Sequence, residues 1–227
     1  MTMPDRSGKR KIRDQIARRR APQLGHYLVV TDAKATEKNY LQGLKQALPV
    51  ELREKLVLQV STVKTIELVD EAIKKASLLP QYAELWMVFD RDQVPSFNEI
   101  IATAGLEGIQ VGWSNPCIEL WFSAYFGELL TSMDSVTCCN KFSALFKQKT
   151  GQEYKKSDSN IYLKLRRSGD EARAIRRARR KLAQYQRDGI TVPSDMHACT
   201  TLHELVDKIR TKVEIAQENK PPARQQA

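Results

Sequence analysis

Residues 26–41 read HYLVVTDAKATEKNYL, and the passage divides at Asp32. His26–Thr31 is apolar and rich in β-branched residues, the pattern of a strand covered on both faces. Asp32-Ala33-Lys34-Ala35 ends it. Thr36 can cap a helix starting at Glu37, and Tyr40, Leu41, Leu44 and Leu48 recur at helical spacing until Pro49 stops the run. A buried strand that hands over to a helix through a short acidic turn points to an α/β fold.

The same alternation continues outward. Leu56–Ser61 (LVLQVS) is a second strand. Thr65–Leu79 is an amphipathic helix through Ile66, Val69, Ile73 and Ala76, closed by Pro80. Leu85–Phe89 (LWMVF) is a third strand and runs straight into Asp90-Arg91-Asp92. Ser96–Ala104 is a short helix with Phe97, Ile100 and Ile101 inward. Ile109–Trp113 is a fourth strand, followed by Ser114-Asn115-Pro116-Cys117 and a helix over Ile118–Phe126. Right-handed crossovers then give a mostly parallel sheet of about four strands flanked by helices, with ligands at the carboxyl ends of the strands. Beyond Thr131 the strand signal fades. Val136–Thr150, Asp170–Arg187 and Thr201–Ala216 read as helices. The expected organisation is a basic arm (1–22), an α/β core (23–130), a helical extension packed on it (131–216) and a polar tail (217–227).

With 227 residues and 41% apolar side chains, the chain can bury a core. No apolar run approaches the roughly 18–20 residues of a membrane span. The basic start, MTMPDRSGKRKIRDQIARRR, lacks the apolar segment of a secretory signal. Cys117, Cys138, Cys139 and Cys199 show no framework spacing, so free thiols in the cytoplasm are expected. His26, His197 and His203 have no zinc spacing. Cys117 reads as a buried thiol, and Trp86, Trp113 and Trp121 read as core. Lys plus Arg is 37 against 27 for Asp plus Glu, a net charge of +10. The excess lies in residues 1–20 and 164–181. Such clusters favour a polyanion, above all nucleic acid. For the Arg-rich helix 170–187 the alternative is a solvated face, or docking on an acidic protein.

Asp90 and Asp92 leave the third strand two positions apart. In extended backbone such residues point to one side. Oxygen-only clusters suit hard divalent ions, above all Mg²⁺ with Mn²⁺ as a substitute, and a metal so held can clamp phosphate oxygens. The alternative is a solvated loop in which Arg91 or a lysine pairs with each Asp. Asp32, Glu37 and Glu119 are placed near the same sheet edge. Glu37 is a further ligand, or the group that orients a water, or simply a favourable charge at a helix N-terminus worth roughly 0.3–1 kcal/mol. Glu119 interrupts an apolar helix (Ile118, Leu120, Trp121, Phe122) and is either paired internally or turned to the site. Asn115 can bind phosphate, fix Glu119, or cap the helix that begins at Pro116.

VVTDAKATEKNYL (29–41), WMVFDRD (86–92) and SNPCIELWFSAYF (114–126) together resemble the RloB-like family in order and spacing. Tyr154-Lys155-Lys156 and HACTTLHELVDKI (197–209) resemble its final region. The likeness covers roughly 26–210. It implies a Toprim-like core, Mg²⁺ held by an acidic residue after the first strand and a DxD after the third, and nuclease activity. It also implies a place in bacterial restriction and antiphage defence loci, beside an ATPase of the AAA or ABC type. Carried over, the metal set is Asp32, Asp90 and Asp92, with Glu37 and Glu119 as further catalytic residues. Lys34, Lys38, Asn115, Lys155, Lys156, Arg176, Arg177 and Arg180 are the candidate nucleic-acid contacts. Three positions depart from the family pattern: Asp32 stands for Glu, Ala33 for Gly, and Tyr125 for a frequent His. No GxxxxGK[ST] is present, so ATP hydrolysis by a P-loop falls to a partner.

Two functions are therefore expected in competition. One is a Mg²⁺-dependent nuclease acting on RNA, tRNA in particular, or DNA. The other is a non-catalytic subunit that binds nucleic acid or docks on a partner.

Overall fold

β1 (Tyr27–Thr31), β2 (Leu56–Val60), β3 (Glu84–Asp90), β4 (Gln110–Asn115) and β5 (Cys199–Thr200) form one sheet in the order β2-β1-β3-β4-β5. The structure, a computed structural model, describes residues 27–31, 35–61, 63, 65–78, 84–92 and 94–218. The basic arm, Asp32, Lys34 and residues 219–227 of the polar tail lie outside the described residues.

β1 pairs in parallel with both β2 and β3, and β3 pairs in parallel with β4. β5 is antiparallel to β4, with Ser114 opposite Thr200 and Asn115 opposite Cys199. The α/β class and the mostly parallel sheet agree with the sequence reading. The fifth strand does not follow from it: two residues carry no periodicity.

The helices are α1 (Thr36–Gln46), α2 (Val50–Arg53), α3 (Leu68–Leu78), α4 (Phe97–Leu106), α5 (Glu119–Ser123), α6 (Ser135–Thr150), α7 (Ile161–Ser168), α8 (Glu171–Arg187) and α9 (Leu202–Glu218). Alternation along β1 sorts them onto two faces. Tyr27 and Val29, with Trp86 and Val88 of β3, share one buried cluster with α1, α5, α6, α7 and α9. Leu28 and Val30, with Met87 and Phe89, share the other with α3 and α4. α8 contributes Ala174, Ile175 and Ala178 to the first cluster, while its half-buried Leu182 and Tyr185 pack on the second. It therefore crosses the sheet at the β5 edge. Trp86, Trp113 and Trp121 are all buried, as core tryptophans should be.

Two local signals fix element ends. Asp134 accepts from the Thr137 N–H at the start of α6, and Asp170 accepts from the Arg173 N–H at the start of α8. α6 stops at Gly151, whose φ of 72° suits glycine. α5 is shorter than the helix expected over 118–126; its last turn loosens into turns after Ser123.

The topology sets where a ligand can bind. α1 leaves β1 toward one face of the sheet, and α4 leaves β3 toward the other. β1 and β3 are neighbours. Their carboxyl ends therefore border a switch point, the crevice in which open α/β sheets gather ligands.

Candidate functional site

Three carboxylates from three segments meet beside that switch point. Asp90 is the last residue of β3, Glu37 lies in the first turn of α1, and Glu119 opens α5. Glu37 and Glu119 are buried, at 8% and 1% exposure, whereas Asp90 is half-buried.

The Asp90 carboxyl is held well above the usual carboxylate range. Burial is the largest cause; the charge of Glu37, a hydrogen bond with Glu37 and the charge of Glu119 push the same way. The Ile118 N–H donates to Asp90 Oδ2 at 3.0 Å and opposes the rise. Glu37 and Asp90 thus form a carboxyl pair that favours one shared proton. A hard cation can replace that proton, and the oxygen-only donor set fits Mg²⁺ or Mn²⁺. Among the described residues no three His, Cys, Asp or Glu side chains form a metal-holding group by themselves. Asp32 follows β1 directly, but its position is outside the described residues.

Asp92 is placed differently from Asp90. The extended backbone ends at Asp90, and Asp92 has φ +32°. The rule that i and i+2 point to one side therefore does not carry through this turn. Asp92 is exposed, and the Ser135 hydroxyl donates to its Oδ1 at 2.6 Å. It stands at the start of α6, on the rim of the site.

Glu119 is both paired and turned to the cluster. The Tyr154 hydroxyl donates to its Oε1 at 2.9 Å, and Lys156 Nζ lies 3.7 Å from the same atom. Burial pushes the Tyr154 phenol up strongly, and the Glu119 charge adds to it. Tyr154 also reaches Thr36. It therefore ties the α1 N-terminus to α5. Burial works against the Lys156 charge, but Glu119, Cys139, Cys117 and Asp90 hold its pKa above the ordinary lysine value. Lys156 is thus a cation at the cluster, with more than half of its side chain exposed. Lys155 and Lys38 are exposed.

Asn115 is buried and fully engaged by protein. Its Nδ2 donates to the carbonyls of Pro193, Ser194 and Met196 at 3.0–3.3 Å, and its Oδ1 accepts from Arg91 Nη1 at 3.4 Å. It clamps the segment before β5 at the carboxyl edge, and no side chain caps α5. Cys117 is buried beside Cys138; their hydrogen bond, then burial, pushes the Cys117 thiol up.

Tyr125 lies away from the carboxylate cluster. Its hydroxyl donates to Glu171 Oε2 at 2.9 Å and accepts from Tyr40, also at 2.9 Å. Glu171 also binds Arg166 and Arg210, and Arg210 reaches the Tyr162 hydroxyl. This buried network joins α7, α8 and α9 to α1, one turn past Glu37.

The Arg-rich α8 splits by face. Arg176 is exposed. Arg177 is largely buried, and its Nη1 donates to the Ala124 carbonyl at 2.6 Å. Arg180 grips both oxygens of Glu128 at 2.6 and 2.7 Å. Arg179 pairs with Asp207 at 2.6 Å.

Sequence reasoning missed Tyr154 and Ser135 as site residues. Ser135 carries no local signal, and Tyr154 stood out only as part of the stretch that resembles the family's final region; each reaches the site through the packing of α6 and the turn after it. A family model described as RloB-like protein matches residues 27–209. No curated protein and no solved structure matches. No helix among the described residues is long and apolar enough to cross a membrane.

Proposed function

The chain belongs to the RloB-like family, and from that premise we propose that it is a divalent-metal-dependent nuclease with a Toprim-like core. The observation that carries the reading is the meeting of Glu37, Asp90 and Glu119, from three separate segments, beside the β1–β3 switch point with Lys156 over them. Structural ion pairs do not require like charges to be buried together; a cation site does.

Asp90 and Glu37, with Asp32 from the end of β1, would hold Mg²⁺ or Mn²⁺, and Asp92 stands at the rim. A metal held there would supply Lewis acidity toward a phosphate oxygen and lower the pKa of a bound water. The chain's own residues do the rest. Lys156 offsets charge on the phosphate, and Lys38 and Lys155 extend the positive rim. Tyr154 and Lys156 fix Glu119 so that it can orient a water or accept its proton. Asn115 acts through position, by fixing the edge of β4. The arginine-rich α8 binds the nucleic acid backbone through one of its faces. The biological setting implied by the family is bacterial antiphage defence, with RNA, tRNA in particular, or DNA as substrate. An ATPase of the AAA or ABC type encoded nearby would control the cut.

The test is cleavage of tRNA, single-stranded DNA and duplex DNA by the purified chain, with Mg²⁺, Mn²⁺ or EDTA. Asp90→Asn and Glu37→Gln run alongside, first alone and then with the neighbouring ATPase. Metal-dependent cutting should fall about 10²-fold or more in each variant, the scale on which losing one preorganised electrostatic group is felt. Cutting that survives both substitutions sinks the assignment. Absence of cutting with the ATPase present selects the non-catalytic subunit instead, the reading that Asp32 and Ala33 in place of Glu and Gly favour.

A further inference from the structure

Two clefts flank α8, and their charges differ. The larger, about 780 Å³, lies toward α9. Three of its four arginines are matched, Arg179 by Asp207 and Arg166 and Arg210 by Glu171, leaving Arg176 among the carboxylates of Asp170, Glu171, Asp207 and Glu214. The smaller, about 300 Å³, lies between α8 and the chain after α5. Arg177, Arg180, Lys181 and Arg187 line it against the single carboxylate of Glu128. Arg187 is exposed and in no ion pair among the described residues.

Glu128 is an unusual partner for this groove. Its side chain is 72% exposed, yet Arg180 grips both its oxygens and Arg177 lies 4.0 Å away. Both contacts come from one guanidinium nitrogen, Nη2, and a guanidinium that holds a two-oxygen anion can hold phosphate oxygens in its place. An exposed ion pair of this kind is weak and opens at little cost. The cations from Arg177 to Arg187 run along about 15 Å of helix, enough to meet several phosphates at about 3.4 Å of axis per strand. Ala198 lines the same cleft and packs with Cys117, two residues before Glu119. The groove is therefore one packing layer from the carboxylate cluster.

We propose that this groove is the track for the nucleic acid's phosphodiester backbone, and that Glu128 occupies a phosphate position in it until the substrate displaces it. The proposal rests on the nucleic-acid reading above. It separates the two faces of α8: Arg180, Lys181 and Arg187 contact substrate, and Arg176 and Arg179 do not. The chemistry recognised is a row of phosphates, read without base contacts. A repeating, closely spaced anion suits cations set along one helix face better than the irregular carboxylates of an acidic protein.

The experiment is fluorescence anisotropy of a labelled single-stranded oligonucleotide and a duplex of the same length. It uses the full chain in EDTA across a salt series, so cleavage plays no part. Glu128→Gln should tighten binding severalfold, because the competing anion is gone. Arg180→Ala and Arg187→Ala should each weaken it severalfold. Each should also reduce the slope of log K against log salt by about 0.7 on single strands and 0.9 on the duplex. Arg176→Ala should change neither quantity. All four residues are exposed, and matching circular dichroism and melting curves confirm that the variants fold. Wild-type binding that none of the first three substitutions alters overturns the groove and leaves the nucleic-acid reading standing. No binding of either probe by the wild type overturns that reading together with the groove. Competition by polyglutamate at equal charge concentration, with the same variant pattern, overturns the proposal in favour of an acidic protein partner.

Discussion

His203 is buried at the start of α9, and its Nδ1–H donates to the Thr200 carbonyl at 2.9 Å. Burial, aided by Arg179, lowers its pKa from 6.5 to about 4, while the Thr200 bond and Asp207 pull the other way. The native imidazole is therefore neutral where the unfolded one takes a proton. Above about pH 6.5 neither state is charged and nothing is lost. As pH falls from 6.5 toward 4, the unfolded chain binds the extra proton and stability declines. At pH 5 the loss from this group is about 2 kcal/mol. Urea midpoints at pH 7.5 and pH 5 should therefore separate less in His203→Asn than in the wild type; equal separation would refute the account. Other single residues of the site were only partly readable. Asp90, Glu37 and Glu119 stood out in the sequence as acids beside strand ends. The split between Asp90 and Asp92 did not, because it depends on one positive φ at Asp92. Nor did the capture of Asn115 by the carbonyls of 193–196, which lie far along the chain.

α1 and α7 approach closely where Gly43 faces Tyr162. A Cβ on Gly43 would lie 2.5 Å from Tyr162 Cβ. Tyr162 cannot yield, since it is fully buried and edge-packed on Tyr40 at 5.4 Å. Gly43→Ala should destabilise by about 1–3 kcal/mol through overpacking, even though alanine favours helix. Because α1 carries Glu37, the proposed nuclease activity should fall along with the urea midpoint. An unchanged midpoint would mean that the helices can separate freely. The partner in this contact shows where legibility ends. α1, α8 and α9 were visible from apolar spacing, and the four parallel strands from β-branched runs. α7 was not visible: Ile161, Tyr162 and Leu165 are its buried positions, mixed with Lys164, Arg166 and Arg167 in only eight residues. α2 and β5 are shorter still. Such elements are defined by what they pack against, and a local window holds no record of it.

Over the whole molecule, the parts that looked like an extension share the core of the sheet. β5 hydrogen-bonds to β4, and the Thr201 N–H donates to the Trp113 carbonyl at 2.9 Å. Leu202, Leu205, Val206, Ile209 and Val213 of α9 are buried in the same cluster as Tyr27 and Trp86. At roughly 1.5–3 kcal/mol for each fully buried aliphatic side chain, α9 contributes about as much as the entire 5–15 kcal/mol net stability of a typical domain. Removing it would also bare the apolar surface it covers on β1, β3 and α1, and leave β4 as an unprotected edge. A chain ending at Asp195 should therefore lose its cooperative urea transition and aggregate, whereas the full chain should unfold in a single step by both far-ultraviolet dichroism and tryptophan fluorescence. Tryptophan fluorescence reports both faces of the sheet, since Trp86 and Trp121 face the cluster that α9 covers and Trp113 faces the other, while dichroism reports the helices. A folded, cooperative 1–195 fragment, or two separated transitions in the full chain, would show that the segment from β5 through α9 lies outside the folding unit of the rest. The carboxylate site would then depend only on the residues before it. If the single transition holds, the site inherits its rigidity from the far end of the chain: Tyr154 reaches Glu119, and Arg210 of α9 reaches Glu171 and through Tyr125 the helix that carries Glu37.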